Sequence, residues 1–167
     1  MINVVYIVAN LNIGGTEGHI SQVVPELDRK TINPVIFTLI GRGELAGTVE
    51  KQGVNIVSPS NELDWHKCGF SRKLVFLILS SIRLFFYLKK NRPDIVHFFL
   101  PMPYVLGGFV SLLSGVKLRI MSRRSLNKYQ EKYLFLPYIE RFLHRRMVKI
   151  FVNSKAVLAD LKTEEVK

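Results

Sequence analysis

The chain has 167 residues, a length that suits one domain, and 48% of them are apolar with a mean hydropathy of +0.18, which supplies a packed core and excludes a disordered chain. Its 24 Lys and Arg against 13 Asp and Glu give a formal charge of +11 and an isoelectric point near 10.0, which calls for an anionic partner: lipid headgroups, nucleic acid or a phosphorylated ligand. A single cysteine, Cys68, excludes an internal disulfide framework and a Cys-rich metal site, and the first residues show no basic region or cleavage site, so the sequence predicts no signal peptide and a chain that stays in the cytoplasm.

From the amino end, INVVYIVA (residues 2–9) is a short, β-branched apolar run that predicts a strand. Residues 16–27 place Ile20, Val23, Val24 and Leu27 at helical spacing, with Thr16 as the cap, and PVIFTL (34–39) is a second strand. A Gly-rich turn, GRGELAG, leads to a short helix toward Gln52 and then to VNIV (54–57), a third strand. After a polar connection near Trp65, a long helix from Ser71 ends at KKNRP, where basic residues and Pro93 mark a stop. Its apolar stretch from Leu74 to Leu88 would span about 22 Å, short of a hydrocarbon core of about 30 Å, and contains Arg83. Such a helix is either buried or lies on a membrane. DIVHFF (94–99), KLRIMS (117–122) and VKIFVN (148–153) complete six predicted strands, each followed by a helix, over 104–113, 138–147 and 154–161.

This alternation predicts an α/β domain with a parallel sheet and helices on both faces, a Rossmann-like doubly wound fold that binds ligands at the carboxyl ends of its strands. The loops after the strands are therefore where function belongs. The first, NLNIGGTEG, is a glycine-rich turn from a strand into a helix, where unpaired N–H groups at the positive end of the helix dipole can hold an anion. No Gly-Lys-Ser/Thr follows, and glycines at 14, 15 and 18 do not have G-x-G-x-x-G spacing. Glu17 suits the dipole but would repel a phosphate beside it. A plain turn capped by Thr16 accounts for the same residues.

Five pieces occur in order: GGTEGHI, GRGELAGTVEKQGVNI, RPDIVHFFLP, MSRRSLNKYQ and IFVNSKAVLADL. Together they resemble the N-terminal, acceptor-side domain of GT-B-fold glycosyltransferases, specifically the retaining family 4, over essentially the whole chain. The resemblance implies two Rossmann-like domains facing each other across a cleft, with transfer of a sugar from a nucleotide-sugar donor to an acceptor. It implies no cofactor and no obligatory metal. Gly14, Gly15 and Thr16 are then contacts to the donor phosphates and sugar. His97 matches the first position of a His-x-His pattern whose histidine commonly faces the donor sugar, but the second position is Phe99, and His97 reads equally as a core histidine at a strand end. In the loop after the fifth strand, Arg123, Arg124 and Ser125, with Tyr104 after the fourth, would hold the acceptor, since paired arginines suit a lipid pyrophosphate; a solvated, salt-bridged loop is the alternative. Asn153 and Ser154 match as well, and Ser154 reads as the N-cap of the last helix.

The basic flanks of two helices fit a membrane-borne acceptor. Lys89 and Lys90, and Arg141, Arg145 and Arg146 around Ile139, Phe142 and Leu143, would face an anionic membrane, although both helices could instead cover the sheet. The expected setting is the inner face of the plasma membrane and the assembly of envelope polysaccharide. The whole chain, residues 1–167, reads as a single N-terminal domain whose C-terminal donor-binding partner is a further domain or a separate subunit, so that the chain alone would not catalyse transfer. Nucleic acid is not an expected partner. The competing class is a non-catalytic basic α/β module for an anionic ligand or nucleic acid, with the aromatics and arginines of SRRSLNKYQEKY on single strands.

Overall fold

The computed structural model describes residues 1–59, 67–126, 130 and 135–166. Twelve elements alternate along the described residues: β1 (Ile2–Val8), α1 (Gly15–Val23), β2 (Ile32–Thr38), α2 (Ala46–Lys51), β3 (Asn55–Val57), α3 (Phe70–Asn91), β4 (Ile95–Phe99), α4 (Pro101–Ser114), β5 (Leu118–Arg123), α5 (Leu136–His144), β6 (Lys149–Val152) and α6 (Lys155–Val166). All six strands pair in parallel in the order β3-β2-β1-β4-β5-β6. The order reverses between β1 and β4, which makes their carboxyl ends the switch point of the sheet.

Strand alternation divides the core in two. Val5, Ile7, Phe37, Val96, Phe98 and Met121 point to the face covered by α3, α4 and α5, where they meet Leu84, Leu88, Val110 and Leu143. Val8, Ile36, Ile56 and Phe99 point to the opposite face and meet Ile20 of α1, Val24 just after it, and Ala46 and Val49 of α2. The expected doubly wound α/β fold is thus present, and it explains why the strands read as nearly continuous apolar runs: both sides of the inner strands are covered.

Several boundaries differ from the periodicity, each for a local reason. The helix α1 begins at Gly15 with Gly14 as N-cap, so Thr16 lies within its first turn and caps nothing. It ends at Val23, because Pro25 has no N–H to donate into the ladder. The helix α4 starts at Pro101, three residues before the predicted Tyr104, since proline without an N–H is tolerated in a first turn. Ser154 caps α6 as expected, its Oγ accepting the Val157 N–H at 3.2 Å.

The helix α3 is fixed to the sheet by polar contacts as well as by Leu84 and Leu88. Ser80 Oγ donates to the Leu39 carbonyl at 2.6 Å, and the Arg83 guanidinium donates to the Thr38 carbonyl at 2.6 Å while lying over the Phe37 ring. Arg83, the charge inside the apolar stretch, therefore satisfies a carbonyl at the end of β2. Among the described residues no helix is long and apolar enough to cross a membrane. The polar connection around Trp65 lies outside the described residues.

Candidate functional site at the switch point of the sheet

The loop after β1 is built by its neighbour after β2. Leu11 N–H donates to the Arg42 carbonyl at 3.1 Å, and Leu45 N–H donates to the Leu11 carbonyl at 2.9 Å, so the two loops run together. Gly43, with φ +82°, allows this approach: a Cβ there would lie 2.3 Å from the Leu11 carbonyl carbon. Leu11 itself is buried in the α1/α2 cluster. The loop so anchored delivers Gly14 and Gly15 to the start of α1.

Neither glycine of that pair is required by the backbone. Gly14 is extended (φ −164°, ψ 168°), a conformation open to any residue, and Gly15 lies in the helix with nothing within 4 Å of where a Cβ would be. The N-cap makes no side-chain hydrogen bond, so the N–H groups of the first turn, at the positive end of the helix dipole, are left uncapped by side chains. The Glu17 carboxylate folds back over Gly14, its Oε2 only 2.5 Å from a notional Cβ, and an anion placed there would have to displace it.

Beside this turn, the α1 face of β4 and β5 carries His97, Phe99 and Ser122. His97 Nε2 and Ser122 Oγ share a hydrogen bond of 2.8 Å, and the His97 ring forms a cluster with Tyr6 (centroids 5.6 Å apart) and Phe99 (4.3 Å). Burial, reinforced by the nearby Arg124 guanidinium, lowers the His97 pKa to about 4, so the imidazole is neutral at pH 7 and is no proton donor there. Phe99, which occupies the second position of the His-x-His pattern, is 4% exposed and belongs to the α1/α2 core. It is a packing residue.

Arg124 follows β5 with its guanidinium 5.7 Å from the Phe99 ring centroid, and its main-chain carbonyl accepts from Asn153 Nδ2 at 3.5 Å. His19, one helical turn beyond Gly15, has its pKa lowered by partial burial and by the same Arg124 charge. The Arg124 charge thus acts on both His19 of α1 and His97 of β4. His19 was not singled out by the sequence; its signal was the four-residue step from Gly15, which puts both on one helix face. Leu100, immediately after β4, has φ 67° and ψ 157°, a region almost confined to glycine, and no sequence signal marks that strain.

Two predicted acceptor residues are elsewhere. Arg123 is the last residue of β5, not a loop residue, and alternation turns it to the opposite face, where it is 1% exposed and ion-paired with the fully buried Glu140 of α5 at 3.9 Å. Gln130 donates to the same Glu140 at 2.5 Å. Tyr104 is 0% exposed, stacked on His144 and packed edge-on against Phe98. Neither presents a polar group to solvent, so Arg124 and the half-buried Ser125 are what remains of that constellation. Lys89, Lys90, Arg145 and Arg146 are exposed and Arg141 is half-buried; all sit on the last turn of α3 or at the end of α5, away from the switch point. A cleft of about 520 Å³ lined by Lys89, Arg92, Asp94 and Lys117 also lies at that end of the sheet, between the carbonyl ends of two helices. Residues 127–129 and 131–134 of the loop after β5 lie outside the described residues.

A sequence model of Glycosyltransferase Family 4 matches residues 13–166. The chain belongs to glycosyltransferase family 4.

Solved structures agree on the fold of this glycosyltransferase domain. HepE from Anabaena, whose structure holds UDP and glucose, superposes on 98% of the chain with a TM-score of 0.72 at 13% identity, and MurG from Acinetobacter baumannii on 93% with a TM-score of 0.61 at 13% identity. The chain covers 41% and 42% of those two proteins. A glycosyltransferase from Rickettsia africae aligns over 79% of the chain with a TM-score of 0.52 at 17% identity. No curated protein sequence matches the chain. The family 4 domain therefore has the Rossmann-like α/β architecture of a GT-B half, and the glycine pair, His97 and Arg124 lie at its switch point. Among the described residues no group of three or more His, Cys, Asp or Glu is placed to hold a metal ion.

Proposed function

We propose that this glycosyltransferase domain is the acceptor-side half of a retaining enzyme whose nucleotide-sugar donor places its diphosphate on the Gly14-Gly15-Thr16 turn. The observation that supports the reading is the place of the glycine pair: it opens α1 at the switch point of the sheet, with no side-chain cap on the N-cap residue and no group within 4 Å of where a Gly15 Cβ would be. The UDP and glucose in the structurally similar HepE supply the ligand class. Uncapped N–H groups of α1 would meet the charge that grows on the leaving diphosphate, and such donors aimed at developing charge lower the barrier to transfer.

His97, neutral and held by Ser122, would offer a hydrogen bond to the transferred sugar and no proton at pH 7. Arg124 and Ser125 would take the acceptor, and an acceptor carrying phosphate, such as a lipid-linked glycan precursor, fits the guanidinium. The second, donor-binding domain completes the cleft, either downstream or as a separate subunit, and transfer requires both. No obligatory metal belongs to this reading, in which the N–H groups of the first turn of α1 would meet the diphosphate charge. The setting in this reading is envelope polysaccharide assembly at the inner face of the plasma membrane.

Calorimetric titration of the chain joined to its donor-binding partner with UDP, GDP and ADP sugars tests the reading. Wild type should bind one class and transfer its sugar, while Gly15→Val should retain the melting temperature and lose at least about tenfold in affinity, the Cβ branch standing where the phosphates approach. Unchanged affinity in the Val variant would remove the donor from this turn. Salt-sensitive binding of single-stranded nucleic acid with no sugar transfer would replace the reading with the basic-module alternative.

A further inference from the structure

The outer surface of α3 is the least accounted-for part of the molecule. Phe70, Leu74, Ile78, Ile82 and Phe86 recur every four residues and all face solvent, Phe70 at 82% and Phe86 at 66% exposure. Val75 and Leu79 lie beside them, also exposed. Scattered surface leucines are ordinary, but seven large apolar side chains on one helix form a contiguous patch of the kind that marks a docking surface. Periodicity does not explain it as core, because the inward face of the same helix is already occupied by Ser80, Arg83, Leu84 and Leu88 against the sheet.

Charge identifies the occupant. Arg72 and Lys73 flank the stripe at its start and Lys89 and Lys90 at its end, all four on α3, whose 22 residues span about 33 Å. The asymmetry extends well beyond the helix: residues 67–149 hold 17 Lys and Arg against three Asp and Glu, whereas residues 1–66 hold four against seven. Of the three acids, Glu140 is buried against Arg123. In the same helical layer the exposed end of α5 places the Arg146 guanidinium 3.5 Å from the centroid of the Phe142 ring. An apolar stripe between cationic ends fits a surface that is oily in depth and anionic at its boundary.

We infer that α3 is a built-in membrane-docking helix that lies flat in the headgroup region of an anionic bilayer, with its 70-74-78-82-86 ladder in the acyl boundary and its terminal Arg and Lys on lipid phosphates. It lies on the bilayer and does not span it, because Arg83 is held to the Thr38 carbonyl and keeps the inner face on the sheet. This rests on the membrane-facing part of the function proposed above and names the element that performs it. Ser80 and Arg83 meet the Leu39 and Thr38 carbonyls at the carboxyl end of β2, so the first part of the ladder, from Phe70 to Ile78, lies at the same end of the sheet as the strands' carboxyl ends.

The test is co-sedimentation of the whole chain with vesicles of phosphatidylcholine alone and of equal parts phosphatidylcholine and phosphatidylglycerol. Wild type should partition onto the anionic vesicles and be released by salt. Ile78→Ser/Leu79→Ser/Phe86→Ser should reduce that partitioning at least about tenfold with an unchanged melting temperature, since only solvent-facing groups are removed. Lys89→Glu/Lys90→Glu should erase the preference for anionic over neutral vesicles. As a second reading that needs no loss of side chains, Phe86→Trp should gain a fluorescence signal quenched by brominated acyl chains. Wild type remaining in the supernatant, a triple variant that binds undiminished, or a new tryptophan untouched by brominated lipid each overturns the proposal. So does a dimer that the triple variant converts to monomer, which would make the stripe an interface between copies. Vesicle binding is read without nucleotide sugar and sugar binding without vesicles, so either can fail while the other stands.

Discussion

Gly43 is where a single added methyl group should have the largest effect on the loop that carries the glycine pair. Gly43, Gly53 and Gly115 all have φ near +80°, and an alanine at such an angle costs about 1–2 kcal/mol from its own backbone. At Gly53 that is the whole cost, because nothing lies within 4 Å of the added Cβ. At Gly43 the Cβ would fall 2.3 Å from the Leu11 carbonyl carbon and 2.5 Å from the Leu11 and Asn12 nitrogens, all main-chain atoms that cannot swing aside. The Leu11 segment must then retreat by roughly 1 Å, which strains the two hydrogen bonds it shares with Arg42 and Leu45, worth about 1 kcal/mol each. Gly43→Ala should therefore cost about 3–5 kcal/mol and Gly53→Ala about 1–2, with the gain from a stiffer unfolded chain common to both. Urea unfolding of the two variants, at equal m-values, measures the difference directly. Losses within about 0.5 kcal/mol of each other would refute the argument that the loop after β2 is a template for the loop after β1.

The remaining predictions concern separate contacts. Glu140→Gln should lower stability, because it removes the carboxylate that faces the Arg123 guanidinium in a 1% exposed site, and a midpoint of chemical unfolding at or above that of wild type would contradict the buried pair. His97 has a folded pKa of about 4, below its ordinary 6.5, so between those values the unfolded chain binds more protons and stability falls as pH drops through that window. The fall should amount to about 3 kcal/mol and disappear in His97→Gln, and an NMR titration showing His97 protonated at pH 6 would overturn it. Arg92 ends α3 at φ 43° and ψ 59° with its side chain exposed, so Arg92→Gly should raise stability by about 0.5–1 kcal/mol, read as a higher thermal midpoint; a decrease would argue that the left-handed cap is not strained.

Much of the architecture was legible in the residues because a covered parallel sheet writes itself into the sequence. Strands such as INVVYIV and IVHFF must be apolar on both sides, and the helices between them carry a different period, so six strand-helix units could be counted without coordinates. The glycine turn was also visible, since paired glycines after a first strand are a local signal. Sequence order could not say which residues of a loop face the ligand. Arg123 and Arg124 are neighbours in the chain, yet the two-residue period of β5 sends Arg123 into the core beside Glu140 and leaves Arg124 at the switch point, its guanidinium 5.7 Å from the Phe99 ring centroid. Tyr104 likewise reads as the first residue of its helix, at the edge of the loop, until Pro101 starts the helix three residues earlier and its ring packs inward on His144. Phe99 is a departure from a pattern in the sequence and a packing residue in the fold.

Composition determined that the chain is basic and apolar enough to fold, and the spacing of its apolar residues that it is organised as alternating strands and helices. Tertiary structure decided which face of each element is buried: it clamped Arg83 against β2, left the opposite side of α3 bare, and brought the β1 turn, His97 and Arg124 to one end of the sheet. The physical reason is that secondary-structure periods are set by neighbours in the chain, whereas burial and electrostatic environment are set by groups that come together only when distant segments pack.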